Sequence, residues 1–109
     1  MTAAAEIITE TGGYRVGRNA WLALNASWPF GKLQIHRDRL ILHALWRTYT
    51  FPRASIVALS VYSGVFSRGL RIQHSISAYP SFVVFWSFHM SRVQRRLTEA
   101  GFRVDDAKA

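Results

Sequence analysis

The sequence predicts one mainly β domain of seven short strands, followed by a single α-helix at the C-terminal end. The 109-residue chain is 50% hydrophobic and 14% aromatic, which is enough for one core but not for two domains. Short alternating or β-branched runs recur between turn signals, as in small barrels and sandwiches. After residue 88 the apolar spacing changes from two to three or four, which is typical of a helix with one buried face.

Turn residues separate the strands along the chain. Residues 28–31 (WPFG) predict a turn, residues 37–39 (RDR) predict a tight reversal, and Pro52 ends a further strand. The run FVVFW before the helix is apolar throughout, which suits a strand that is buried on both faces. The predicted strands cover residues 20–27, 32–36, 40–45, 47–51, 56–62, 70–76 and 82–86.

The terminal helix is predicted from its caps and from its apolar stripe. Ser91 and Gln94 have the spacing of a capping box, and Gly101 lies where a helix ends, because glycine tolerates a left-handed conformation. Arg92 and Arg96 lie off the stripe and are expected to face solvent. The stripe consists of Met90, Val93, Leu97 and Ala100.

We expect the domain to span residues 14–102, between a flexible leader at 1–13 and a flexible tail at 103–109. The chain has no cysteine, so it has no disulfide framework and no thiol nucleophile. Its first residues lack the basic and apolar segments of a signal peptide, which predicts a cytoplasmic protein.

The charge is strongly basic, with 14 Lys and Arg residues against 6 Asp and Glu, and a net charge of +8. A body of this kind attracts anions such as nucleic acid, lipid headgroups or acidic proteins. Arginine greatly outnumbers lysine, a bias that a GC-rich genome also produces without any partner.

No set of residues predicts catalysis. Asp38 is the one acid between Gly12 and Thr98, so paired carboxylates for acid–base chemistry are missing there. Residues 64–69 (GVFSRG) satisfy neither a phosphate-binding loop nor a nucleophile elbow. The four histidines lack ligand spacing. We therefore expect no enzyme activity, no catalytic residue, no cofactor and no metal site.

The order of elements resembles the small bacterial pleckstrin-homology-like (PH-like) domains. The similar segments are GKLQIHRDRLIL, YTFPRASIVAL, GLRIQHSI and FVVFWS, and the resemblance covers residues 20–102. It implies a seven-stranded antiparallel split barrel or sandwich capped by the helix. A superfold of this kind does not fix the function.

Loop aromatics beside cations supply the candidate binding site. In an up-and-down meander the loops after strands one and three lie at the same end, and the resemblance adds the loop after strand six. Such residues suit a membrane interface, a peptide groove or a self-association patch, although the rings could instead plug the barrel end. The candidate residues are Trp28, Phe30, Lys32, Trp46, Arg47 and Tyr79.

These observations predict a non-enzymatic PH-like binding or scaffold module. Its expected partner is another protein, a second copy of the chain, or an anionic membrane surface, the last of which would place it peripherally at the inner membrane face. The alternative is a small basic barrel that binds nucleic acid through charge and exposed aromatics.

Overall fold

The computed structural model describes residues 7–18, 23–63 and 68–105. These residues form one curled antiparallel sheet of seven strands, in the order β4-β3-β2-β1-β7-β6-β5, followed by one C-terminal helix. The predicted fold class, a mainly β split barrel capped by a helix, is confirmed. The elements are β1 (Ile8–Gly17), β2 (Ala23–Ile35), β3 (Arg39–Ala44), β4 (Arg47–Pro52), a short 3-10 turn (Arg53–Ser55), β5 (Ile56–Ser63), β6 (Arg68–His74), β7 (Phe82–Ser87) and α1 (Met90–Glu99).

The N-terminal strands differ from the prediction. Residues 8–13, which we assigned to the leader, belong to β1, and this strand lies at the centre of the sheet between β2 and β7. Residues 23–35 of the two predicted strands at 20–27 and 32–36, with the turn between them, form one long strand, β2. His36 follows the end of β2, and residues 20–22 lie outside the described residues. Glu10 and the pair Gly12-Gly13 interrupt the apolar alternation of β1, which is why the pattern hid it. Residues 1–6 of the predicted leader also lie outside the described part of the chain.

A wide bulge interrupts the pairing of β1 with β2. Gly12 pairs with Gly31 and Tyr14 with Ala26, so residues 27–30 of β2 stand opposite Gly13 alone. The backbones of β1 and β2 pass very close to each other here. A Cβ atom on Gly31 would lie only 2.7 Å from the carbonyl carbon of Gly13. Glycine at this crossing therefore lets the chain loop out and then resume the same strand.

The core lies between the inner face of the sheet and α1. Strand β3 alternates as predicted, with Leu40, Leu42 and Ala44 buried. Strand β7 is buried on both faces, also as predicted, and α1 buries Met90, Val93 and Leu97 against the sheet. The apolar stripe and the alternation thus assemble a single core.

The two ends of α1 differ in how they are capped. The predicted capping box is wrong, because the N-cap residue is His89, which makes no side-chain cap bond, and Ser91 already lies inside α1. The predicted end at Gly101 is confirmed by its φ of 92° and by the bond from the Phe102 amide to the Leu97 carbonyl, 2.9 Å. The side chain of Arg53 adds a cap, since it donates to the carbonyls of Ala100 and Gly101, both at 3.0 Å.

Two helix arginines that we expected to face solvent remain partly exposed but also bind a buried acid. Glu10 in β1 is 2% exposed. Arg92 donates to both of its carboxylate oxygens, at 2.8 and 3.1 Å, and Arg96 approaches at 3.4 Å. Hydrogen bonding to Glu10, followed by its charge, raises the pKa of Arg92. The central strand and the helix are therefore joined by a charged contact as well as by the core.

The C-terminal boundary also lies later than predicted. The Asp105 amide donates to the Leu59 carbonyl at 2.8 Å, and its carbonyl accepts from the Val61 amide at 2.9 Å. Asp105 thus forms a parallel bridge with Ser60 on β5. The predicted tail is wrong for residues 103–105, because this backbone satisfies the open edge of β5, and residues 106–109 lie outside the described residues.

Candidate binding surface

The β2 bulge and the turn between β3 and β4 lie side by side and expose apolar side chains. The Leu45 amide of the turn donates to the Phe30 carbonyl of the bulge at 3.1 Å. The side chains are 55%, 53%, 44% and 87% exposed in the order given below, which is unusual for large hydrophobic residues in one place. We call this set the apolar tip: Trp28, Phe30, Leu45 and Trp46.

Local strand geometry explains why these side chains point outward. Leu33 and Ile35 of β2 face the core, so Lys32 and, by the same alternation, Phe30 face away from it. Within the bulge, Trp28 has no partner on β1 that would draw it into the sheet. The apolar tip is thus a product of the interrupted pairing and not of a failure to fill the core.

Leu45 adopts a conformation that leucine disfavours. Its φ is 59°, and Ala44 pairs with Arg47 on either side of the two-residue turn. A left-handed conformation costs a residue with a Cβ atom about 1–2 kcal/mol, and glycine or asparagine adopts it more readily. The choice of leucine therefore does not serve the stability of the free chain, and such local strain is concentrated at functional sites.

The surroundings of the apolar tip are positively charged. Lys32 and Arg47, each one or two residues from a tip residue, are both exposed. Asp38 is the one acid among residues 23–52, and it lies at the opposite end of the β2–β3 hairpin, where it binds Arg39 at 2.8 Å. No acid in these two hairpins offsets the charge of Lys32 and Arg47.

The structure does not bring Tyr79 to the other five predicted residues. Its ring packs edge-on against Tyr49, with centroids 5.2 Å apart, and against Phe51, at 5.5 Å. Its hydroxyl accepts from the Thr50 amide at 3.2 Å. Tyr79 therefore packs against β4, and its side chain contributes to the packing of the fold.

His74 fixes the loop that carries Tyr79. Its Nε2 atom donates to the Pro80 carbonyl at 2.7 Å, and its Nδ1 atom accepts from the Ile76 amide at 3.0 Å. These two bonds require the neutral tautomer with its proton on Nε2. Both ring nitrogens are used in holding the loop, which accounts for this histidine without a metal.

Leu45 is the tip residue that sequence reasoning missed. We placed it at the end of a strand, whereas it occupies the two-residue turn with Trp46. The available signal was an apolar pair between two alternating runs, at the point where a hairpin turn has to lie. That pair lacks the glycine or asparagine that usually marks such a turn.

The remaining chemistry of the described residues is sparse. They contain no cluster of three His, Asp or Glu side chains that would hold a metal ion. His36 is 7% exposed, and burial, followed by the positive charge of Arg39, lowers its pKa. Within residues 7–18, 23–63 and 68–105, no helix is both long and apolar enough to cross a bilayer.

The sheet edges offer less than the apolar tip does. Asp105 occupies part of the β5 edge. On β4, at the other edge, the Thr50 amide binds Tyr79 and the strand ends at Pro52. Edges that are partly covered or that end at proline resist the addition of a further strand.

Comparisons of the chain with protein-family models, with curated proteins and with solved structures found no match.

Proposed function

We propose that this chain is a non-enzymatic binding module of the PH-like kind, and that its apolar tip holds the protein on an anionic membrane surface. The observation that carries the proposal is the exposure of four large apolar side chains from two adjoining segments. In one of these segments, the turn between β3 and β4, Leu45 has a positive φ that leucine disfavours. The observed layout, seven antiparallel strands followed by one C-terminal helix, supports the PH-like comparison.

A membrane interface suits the chemistry of the tip. Tryptophan favours the headgroup region, where its apolar ring is buried and its N–H group stays hydrated. Lys32 and Arg47 flank the tip, and each basic residue near an anionic leaflet contributes about 1 kcal/mol. Apolar insertion and charge therefore act on the same surface.

Vesicle co-sedimentation tests this proposal. The full chain is mixed with phosphatidylserine-containing vesicles and with neutral phosphatidylcholine vesicles, at low salt and at about 0.15 M salt. We expect binding to the anionic vesicles that persists at the higher salt and falls on Trp28→Ala. Binding that disappears at the higher salt, and that Trp28→Ala leaves unchanged, would refute the role of the tip.

The same experiment separates the membrane from the two other expected partners of the tip. A protein that ignores vesicles but forms dimers at micromolar concentration, with dimerisation lost on Trp28→Ala, would identify the tip as a self-association surface. A chain that neither binds vesicles nor forms dimers would indicate that the partner of the tip is a different protein.

Nucleic acid is the second candidate, favoured by the net charge of +8. Its signature is a steep linear fall of log affinity with log salt, measured with a single-stranded oligonucleotide. An affinity for the oligonucleotide that exceeds the affinity for anionic vesicles at about 0.15 M salt would favour this function over membrane binding.

A further inference from the structure

A second basic feature lies on the outer face of the sheet, away from both the helix and the core. Arg15 of β1 and Arg71 of β6 are both directly opposite Val84 of β7, one on each side. Their strand neighbours Tyr14, Val16, Leu70 and Ile72 belong to the core, so the two arginines face outward. Directly opposed residues have Cβ atoms about 5 Å apart, which places the two arginine Cβ atoms about 10 Å apart across Val84.

The apolar side chains beneath these two arginines are closely packed, although they lie outside the core. Val84 is 0% exposed and Phe82 is 5% exposed. The guanidinium carbon of Arg71 lies 5.4 Å from the centroid of the Phe82 ring. The Tyr62 ring packs edge-on against Phe82 and against Trp86, both at 5.7 Å. The guanidinium group of Arg71 therefore lies over the Phe82 ring on this face, which limits the freedom that the side chain would lose when it binds a ligand.

The charge of Arg71 lacks an acidic partner among the described residues. Its Nε atom is buried and makes no hydrogen bond to any described group. The nearest carboxylate in register is that of Asp105, which lies beyond Ser60 on the far side of β5 and binds Arg103 at 3.2 Å. Arg15 adds a second positive charge and also has an interaction within the chain. Buried N–H donors in proteins are nearly always hydrogen-bonded, so we expect a ligand to supply an acceptor near the Nε–H group of Arg71.

From this arrangement we propose that the outer face of β1, β7 and β6 binds a phosphate group between Arg15 and Arg71. Two guanidinium groups match the charge of a phosphate dianion, and arginine binds phosphate through paired N–H donors. Ser60 lies directly opposite Arg71 on β5, so its hydroxyl group is on the same face of the sheet. The site uses no residue of the apolar tip, and the two proposals can be tested independently.

Titration of the isotopically labelled full chain with inorganic phosphate tests the site, with the ionic strength held constant by sodium chloride. We expect saturable shifts of the Arg71 Nε–H resonance and of the backbone amides of Val84 and Ser60. Arg71→Gln should weaken phosphate binding about tenfold, and Arg71→Lys, which keeps the charge but loses the planar donor pair, should weaken it less.

A matched control removes the same charge elsewhere. Arg95 is an exposed residue of α1, and Arg95→Gln should leave the phosphate affinity within about twofold of the wild-type value. Trp46→Ala at the apolar tip should also leave it unchanged, which separates this site from the membrane proposal. Thermal melts show whether Arg71→Gln remains folded, and Arg15→Gln provides a second variant with the same expected direction.

Three phosphate compounds distinguish the sources of the group: inorganic phosphate, glycerol 3-phosphate and adenosine monophosphate. Tighter binding of glycerol 3-phosphate would support a lipid headgroup, and tighter binding of the nucleotide would support stacking on Trp86 or Tyr62. Phosphate shifts that spread equally over all arginines, or an Arg71→Gln variant that binds like the wild type, would overturn the proposal.

Discussion

Replacing Trp46 with alanine gives the sharpest test of the apolar tip, because this side chain is the most exposed apolar group described. Tryptophan presents up to about 250 Å² of surface, of which 87% is exposed at this position. If binding covers only half of that exposed area, about 100 Å² leaves water. At about 25 cal/mol per Å² this contributes about 2.5 kcal/mol, which corresponds to a loss of affinity of between tenfold and a hundredfold for Trp46→Ala.

The assay is titration of the protein with phosphatidylserine-containing vesicles at about 0.15 M salt. The expected stability change is small, within about 0.5 kcal/mol, because Trp46 is exposed in the free protein. Val57→Ala is a suitable control, since Val57 is 70% exposed on β5, past the opposite end of β4 from Trp46. Equal losses for the two variants, or no loss for Trp46→Ala, would refute the reasoning from exposed area.

Four further predictions concern stability and strain. Leu45→Asn should leave the free energy of unfolding unchanged or raise it by up to about 1 kcal/mol, because asparagine tolerates the positive φ, while vesicle binding weakens. Glu10→Gln should lower the urea midpoint, with a loss of about 1–2 kcal/mol, because it removes the charge that holds two helix arginines. Arg53→Met should cost about 1–2 kcal/mol in thermal melts through the lost carbonyl contacts. Since the folded pKa of His36 is lowered, the unfolded chain binds more protons, so stability should fall as pH drops below about 6.5, and His36→Asn should flatten that slope in urea titrations.

Most of the fold was predictable from the C-terminal two-thirds of the sequence. Strands β3 to β7 carry clean alternation or continuous apolar runs, and the helix carries an apolar stripe that ends at Gly101. These signals are local, because each depends only on the period of the strand or helix that contains it. Seven strands were predicted and the described residues form seven, although the first two were placed wrongly.

Strand β1 could not be predicted because its stabilising contacts are distant in sequence. Glu10 looks like a solvent-facing residue of a leader, and only the arrival of Arg92 from the far end of the chain makes its burial possible. Gly12 and Gly13 weaken strand propensity locally, yet they are needed where β1, β2 and β7 cross. Local pattern and tertiary requirement disagree here, and the tertiary requirement prevails.

The candidate site was predictable in part for a related reason. Trp28, Phe30 and Trp46 were identified as loop aromatics, and the structure exposes all three. Their neighbourhood follows from one backbone bond between the bulge and the turn, which no single-strand pattern reveals. Tyr79 was misplaced because the loop after β6 folds back on β4 instead of reaching the tip.

The distribution of acids argues that the positive charge is not spread evenly over the molecule. Glu10, Asp38 and Asp105 each bind an arginine that serves the framework, as a link from sheet to helix, at a reversal, or beside the β5 edge. Genome-driven accumulation of arginine would not by itself direct these acids away from the apolar tip and from the Arg71 face. Since paired charges are largely neutralised at short range, the long-range attraction for anions comes from cations that have no acidic partner among the described residues, which include Lys32, Arg47 and Arg71. Salt is therefore expected to weaken both proposed binding activities. Only the apolar tip would retain an apolar contribution that salt does not screen, so the salt dependence of binding distinguishes the two proposed surfaces.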